Sequence, residues 1–261
     1  MSMLKQIDLN SDVGESFGAY KIGMDEAVIP LISSANIACG FHAGDPLVME
    51  KTVSLAAENG VGLGAHPGLP DLMGFGRRAM DVSLEEIRHY VTYQVGALQA
   101  FAAQRGFSLQ HVKPHGALYN MAVRNTEISN TIAEVISGLD KNLILVALAG
   151  SNGDALAAIA ERHFIRVAFE FFADRAYNPD GSLVNRSLPG AVLHDDGAVA
   201  QRVARLVETG TVAAVDGTEI ELKADTICVH GDNPQALALV KTIRTSLKNS
   251  GIKVRPMGTF L

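Results

Sequence analysis

Four histidines, His42, His66, His115 and His230, each lie within two residues of a glycine or proline and each follow a short apolar run. An imidazole titrates near neutrality, so it can pass protons or, when neutral, bind a metal ion. Glycine and proline beside it let backbone come close to a ligand. Carboxylates and cations occupy matching positions: Asp12 and Glu15 after the first apolar run, Lys113 two residues before His115, then Glu170, Asp174 and Arg175 together. Acids, bases and fixed charges gathered in this way point to one shared active site. Asp12 and Glu15 have no helical run close behind them, so they are expected to face something positive: a metal, Lys113 or a substrate ammonium. Asp45 and Asp232 stand next to helix starts and are read either as caps or as site residues. Cys39 is read as a small buried hydrophobe rather than a nucleophile. His89, His111, His163 and His194 are read as structural or exposed.

These residues need a scaffold that brings separated strand ends together, and the apolar pattern supplies one. Strand candidates run from Gln6 to Asn10, Ala35 to Ala38, Val61 to Ala65, Gln110 to Val112, Leu143 to Ala147, Arg166 to Phe169 and Thr226 to Val229, with a weaker one from Ile252 to Val254. Helical patterns alternate with them. Asp45-Pro46 opens one helix and Gly60 closes it; Ser83-Leu84-Glu85-Glu86 is a capping box; Asn233-Pro234 opens a helix that ends before Gly251. Asp216-Gly217, between two alternating runs, marks a small β-hairpin inserted in the main fold. Seven or eight βα units in 261 residues fit an α/β fold, a (β/α) barrel of about seven strands, although an open doubly wound sheet fits the same pattern. No linker or repeat divides the chain, so residues 1–261 are expected to form one domain. In either fold, ligands sit at the carboxyl ends of the strands, where the reactive residues lie.

Several functions are disfavoured. A net charge of -6 would repel phosphate backbones, so no nucleic-acid partner is expected. The longest apolar run, Leu143 to Ala149, is far too short to span a bilayer, and the N-terminal segment turns polar at once, so neither membrane nor export is expected. Two cysteines, Cys39 and Cys228, make no disulfide framework; both are read as reduced and the chain as cytoplasmic. No phosphate-cradling G-x-x-x-x-G-K-[ST] run occurs, and Gly62-Leu63-Gly64 lacks the third glycine of a dinucleotide fingerprint. There is no HExxH pair and no cysteine cluster for structural zinc.

With those residues laid out, the chain resembles the LamB/YcsF family over nearly its whole length. The resemblance rests on Asn10-Ser11-Asp12-Val13-Gly14-Glu15-Ser16, the run from Ser34 to Asp45, Gly64-Ala65-His66-Pro67, the run from Val112 to Asn120, the run from Glu170 to Tyr177, and Val229-His230-Gly231-Asp232. It implies a seven-stranded barrel of the glycoside hydrolase/deacetylase type. It also implies a component of bacterial-type ATP-dependent 5-oxoprolinase, which converts 5-oxo-L-proline, ATP and water to L-glutamate, ADP and phosphate. Two further subunits resembling allophanate-hydrolase proteins are implied as partners. Because this chain has no ATP motif, the partners are expected to activate the amide oxygen by phosphorylation, and this chain to help open the ring. Asp12 or Glu15 would orient or deprotonate water, with or without a divalent metal held by Asp12, His66 and His115. Lys113 and Arg175 would hold a carboxylate or an acyl phosphate, and His42 or His230 would protonate the departing nitrogen. The competing reading is a metal-dependent deacetylase or amidohydrolase on another small amide. Deacetylases of this fold commonly carry a second aspartate directly after the first, where this chain has Val13. A non-catalytic component that holds substrate for its partners is a third reading.

Overall fold

The structure is a computed structural model and describes residues 5–185, 187–230 and 234–261. Ten strands occur in chain order: β1 (Gln6–Val13), β2 (Ser34–Ala38), β3 (Gly62–His66), β4 (Leu109–Val112), β5 (Ile144–Leu148), β6 (Arg166–Phe172), β7 (Thr211–Ala213), β8 (Glu219–Glu221), β9 (Thr226–Cys228) and β10 (Lys253–Val254). The helices are α1 (Asp25–Val28), α2 (Pro46–Glu58), α3 (Leu84–Gln104), α4 (Gly116–Arg124), α5 (Thr126–Leu139), α6 (Ser151–Arg162), α7 (Asp196–Thr209) and α8 (Pro234–Asn249).

Seven strands pair in parallel in the order β1-β2-β3-β4-β5-β6-β9, and β9 pairs back onto β1, so the sheet closes into a barrel. The open-sheet alternative is thereby excluded. β10 adds a two-residue parallel pairing at the start of β1, through Gln6 and Ile7. β7 and β8 form the expected antiparallel hairpin. Among the described residues no helix is long and apolar enough to cross a membrane.

Side chains alternate across each strand, and the two faces have different tasks. The outer face, with Leu9, Ile37, Leu63, Val112, Leu145, Phe171 and Ile227 all buried, packs on the helices in one large apolar cluster. Each such side chain stabilises the fold by roughly 1.5–3 kcal/mol when fully buried. The floor of the lumen is a separate small cluster of Ile144, Val146, Ala168 and Met257, with Phe260 and Leu261 packed against it. The C-terminal segment therefore plugs the bottom of the barrel.

Helix starts follow local chemistry. The Asp45 carboxylate accepts hydrogen bonds from the amides of Leu47 and Val48 at 2.9 Å, with Pro46 in the first turn, which makes Asp45 a cap. Ser83 and Glu86 complete the expected capping box of α3. The start of α8 expected at Asn233, and Asp232 beside it, lie outside the described residues.

Two strands run further than their apolar pattern indicates. β1 continues past Asn10 to Val13 and β6 past Phe169 to Phe172, so Asp12 and Glu170 lie on strands rather than after them. The reason is that the barrel interior here is polar. Alternation of polar residues inward with apolar residues outward is compatible with a fully covered strand when the inward groups bond to one another.

Candidate active site

β1 turns Asp8, Asn10 and Asp12 inward, and they form the spine of a buried hydrogen-bonded network. Asp8 accepts from the hydroxyls of Ser33 at 2.7 Å, Ser34 at 2.5 Å and Thr226 at 2.5 Å. Thr226 in turn accepts from the Asn10 amide at 2.6 Å, and the Asn36 amide donates to Asn10 Oδ1 at 2.7 Å and to Asp12 Oδ1 at 2.8 Å. His111 Nε2 meets Asn36 Oδ1 at 2.7 Å; because that oxygen is an acceptor, Nε2 carries the proton. The ring occupies the space left by Gly64, where a Cβ would lie 2.0 Å from His111 Nε2. Burial pushes Asp8 up to about 6 and His111 down to about 3.

One step toward the mouth, the Lys113 ammonium lies 3.0 Å from Asp12 Oδ1, 2.7 Å from Glu170 Oε1 and 3.4 Å from Cys228 Sγ. Burial opposes its charge, but Asp12, Cys228 and Glu170 outweigh burial and hold the amine well above its usual range. The Tyr119 hydroxyl donates to Glu170 Oε2 at 3.3 Å. Burial would raise Asp12, but His66 and Lys113 keep it well below 3.8.

At the mouth the strand-end residues gather. His66 Nδ1 donates to the Lys113 carbonyl at 2.7 Å, and His115 Nε2 donates to the Phe75 carbonyl at 2.8 Å. These carbonyls set the donor nitrogens, so in their neutral forms His66 Nε2 and His115 Nδ1 face each other at 3.0 Å with lone pairs. Such a pair needs a shared proton or a cation between its members. Asp12 Oδ2 is 3.4 Å from His66 Nε2. The His42 ring stacks on His115 at 3.7 Å, is fully buried, and has no hydrogen-bond partner at either nitrogen. Its Nε2 is 3.8 Å from Glu15 Oε1. Gly76 permits this stack, since a Cβ there would lie 2.6 Å from His42 Cβ and 2.8 Å from His115 Cδ2.

One ligand atom from each of Glu15, His42, His66 and His115 lies within 4.8 Å of the others, a donor set able to hold a divalent ion. Burial keeps His42 well below 6.5 and His115 at about 2, so both rings are neutral, as ligation or proton acceptance requires. Glu15 rises to about 7, through burial and the adjacent Asp12 charge. It can therefore both take and give a proton near neutrality.

The remaining candidates lie beside this cluster. His230 Nδ1 is 3.2 Å from Asp174 Oδ2; burial disfavours its charge, but the bond to Asp174 outweighs burial and raises its pKa. Arg175 is buried, and its guanidinium donates to the carbonyls of Val184 at 2.7 Å and Ala191 at 3.3 Å, bracing the loop after β6. Cys39 is buried, with its thiol pushed up to about 12 by burial. Val13 points outward into the core, away from the lumen. His89 and His194 are exposed, while His163 bonds Asn130. Sequence reasoning passed over Asn36, Phe75, Arg77, Tyr119 and Cys228. The spacing Asp8-x-Asn10-x-Asp12 and His111-x-Lys113, at the strand period, was the available signal for a polar lumen.

A model of the LamB/YcsF family matches residues 7–261. The chain belongs to this family. It is 57% identical to the A subunit of 5-oxoprolinase from Pyrococcus abyssi over 98% of this chain and 99% of that protein. Against the A subunit of 5-oxoprolinase from Campylobacter jejuni the identity is 50%, over 98% of this chain and 99% of that protein. Among solved structures, the lactam utilization protein from Thermus thermophilus superposes with a TM-score of 0.91 at 45% identity, covering 96% of this chain and 99% of that one. The barrel and its family are thus those expected from the motifs.

Proposed function

We propose that this chain is the ring-opening component of an ATP-dependent 5-oxoprolinase, acting with partner subunits on 5-oxo-L-proline to release L-glutamate. The observation that carries the reading is the buried cluster of Asp12, Glu15, His42, His66 and His115 at one barrel mouth, in a chain 57% identical to a protein named for that activity. A five-membered lactam is a resonance-stabilised amide, so phosphorylating the amide oxygen first makes the ring easier to open. That step falls to the partners, two subunits resembling allophanate hydrolase, which would also hold ATP.

The residues divide the ring-opening step among themselves. Water enters between Glu15 and Asp12, and Glu15, with a pKa near 7, takes its proton as oxygen bonds to the lactam carbonyl carbon. Lys113 fixes Asp12 from below, so that Asp12 orients this water without moving. His230, held by Asp174, gives a proton to the ring nitrogen as the C–N bond breaks; this leaves the acyl phosphate of glutamate, which a second water cleaves to glutamate and inorganic phosphate. The facing lone pairs of His66 and His115, with Asp12 and Glu15 alongside, fit a divalent cation, which would polarise the carbonyl and lower the pKa of water.

Reconstitution tests the reading. The chain with its two partners should release glutamate from 5-oxoproline and ATP, whereas the chain alone should neither bind ATP tightly nor turn over the lactam. ATP-dependent glutamate release by the chain alone would sink this division of labour; a reconstituted complex inert toward 5-oxoproline would sink the substrate.

A further inference from the structure

An anionic substrate poses an electrostatic problem at this mouth. Asp12, Glu15 and Asp174 lie at it, partly exposed, and the cations nearest to hand are committed. Lys113 is spent on Asp12 and Glu170, His230 on Asp174, Arg175 on two backbone carbonyls, and Arg78 on the Asp71 carboxylate. His42 and His115 are neutral. A carboxylate or phosphoryl group entering here needs a positive charge that none of these supplies.

Arg77 supplies it. It lies in the loop after β3, is exposed, and makes no side-chain hydrogen bond or ion pair among the described residues. Its guanidinium carbon sits 5.0 Å from the Phe75 ring centroid, and that ring meets His42 edge-on at 5.7 Å and His115 at 5.4 Å. Its stem runs past Gly116 at the start of α4, where a Cβ would lie 3.6 Å from Arg77 Cγ. Its charge reaches the cluster, adding to burial in lowering His42 and opposing burial at Glu15.

The loop is built to hold that position. Phe75 has a φ of 55°, a left-handed conformation that non-glycine residues adopt only at a cost of about 1 kcal/mol. The Phe75 carbonyl is gripped by His115 Nε2, the Gly76 carbonyl by the Ala117 amide at 2.8 Å, and the Gly76 amide by the Asp71 carbonyl at 2.9 Å. Arg78 and Asp71 brace the same turn. A strained loop tied to a histidine of the cluster, presenting one arginine and using its neighbour as a brace, has the form of a ligand clamp.

We infer that Arg77 is the anion-recognition residue of this site, binding the oxyanion group of the ligand by charge-assisted hydrogen bonds while Phe75 holds its guanidinium plane. The chemistry suits two sources: the carboxylate of the lactam acid, or a phosphoryl group carried on its activated form. The inference rests on the 5-oxoprolinase reading for the identity of the ligand, but not for its charge.

Titration calorimetry on the full chain, with 5-oxoproline, the uncharged 2-pyrrolidinone and inorganic phosphate as probes, separates the sources. KM for 5-oxoproline in the reconstituted complex gives a second readout. Arg77→Ala should weaken the anionic ligand roughly 10- to 100-fold, the range for losing a charge-assisted hydrogen bond, and Arg77→Lys should recover part of it. Affinity for 2-pyrrolidinone should not change. Loss confined to 5-oxoproline assigns the carboxylate, and loss confined to phosphate assigns the phosphoryl group. Arg77→Ala within twofold of wild type for both anions and for KM overturns the inference. Failure of wild-type complex to open 5-oxoproline would overturn the substrate reading alone, because Arg77-dependent binding of either anion to the chain would still be measurable by calorimetry.

Discussion

The lower lumen and the mouth of this barrel contain the same kinds of side chain in opposite conditions. Below Asp12, the polar atoms of Asp8, Asn10, Asn36, Ser34 and Thr226 are bonded to one another, with His111 Nδ1 the exception. Above Asp12, His42 has two buried nitrogens without partners, and His66 and His115 present lone pairs to each other. Satisfied polar groups hold a shape, and unsatisfied ones are stored binding capacity. Burial and polarity alone therefore do not set the candidate site apart from the lower lumen; the concentration of unpartnered imidazole nitrogens does.

Lys113 joins the two regions and should give the largest effect. Lys113→Met leaves Asp12 and Glu170 buried without a cation, and breaking a buried pair from one side typically costs about 3–5 kcal/mol. Denaturant unfolding should show a loss of that order. Loss of activity with stability within about 1 kcal/mol of wild type would instead place Lys113 in the mouth's chemistry, since surface-like changes stay in that range.

Asp8 tests the lower region through pH. Its carboxyl rises from 3.8 to about 6 on folding, because burial disfavours the anion. An acid raised in this way contributes stability below pH 3.8 and loses it as pH climbs through about 6. At 1.36 kcal/mol per pKa unit the loss is about 3 kcal/mol by pH 7.5. The stability of wild type relative to Asp8→Asn should therefore fall by up to about 3 kcal/mol between pH 4 and pH 7.5. A pH-independent difference would mean that the three hydroxyl donors fully offset desolvation.

The mouth should respond in turnover. Asp12→Asn and His115→Ala, assayed in the reconstituted complex, should each lower turnover by roughly two orders of magnitude or more. Near-normal turnover in both variants, with partner binding intact, would move the chemistry to the other subunits and leave this mouth a binding pocket.

Much of this contrast was legible in the sequence, for a definite reason. His42, His66, His115 and His230 announce themselves because each interrupts apolar sequence beside glycine or proline, and βα alternation brings strand ends together. The lower lumen was less legible because Asp8, Asn10 and Asn36 sit inside strands, where hydropathy reads a polar residue as an exposed face. Closure of the barrel reverses that meaning, and no local pattern reports closure. Arg175 shows the opposite failure: a cation after a strand looked available for substrate, yet the loop following it needed its donors for two carbonyls. Arg77 was passed over because its importance comes from Phe75 and from the commitments of other cations, all of them long-range.

Asp45 provides the finest test of this contrast, because it lies three residues from His42 in sequence but belongs with the satisfied groups. Its carboxylate accepts from the amides of Leu47 and Val48 at the start of α2 and, through its other oxygen, from Gly18 at 2.8 Å, tying the loop after β1 to that helix. These bonds, from Val48 and then Gly18, hold its pKa below 3.8. A depressed acid contributes stability above 3.8 and loses it as pH falls through its folded value, so the contribution is complete at neutrality. Removing such a cap costs about 1 kcal/mol. Asp45→Ala should lower stability by about that amount at pH 7, and less under acid conditions, while turnover stays within about twofold of wild type. Asp45→Asn, which still accepts at the helix start, should recover most of the stability. A large fall in turnover that Asn fails to rescue would show that the Asp45 charge itself serves the mouth, and that a fully bonded carboxylate can still be part of the chemistry.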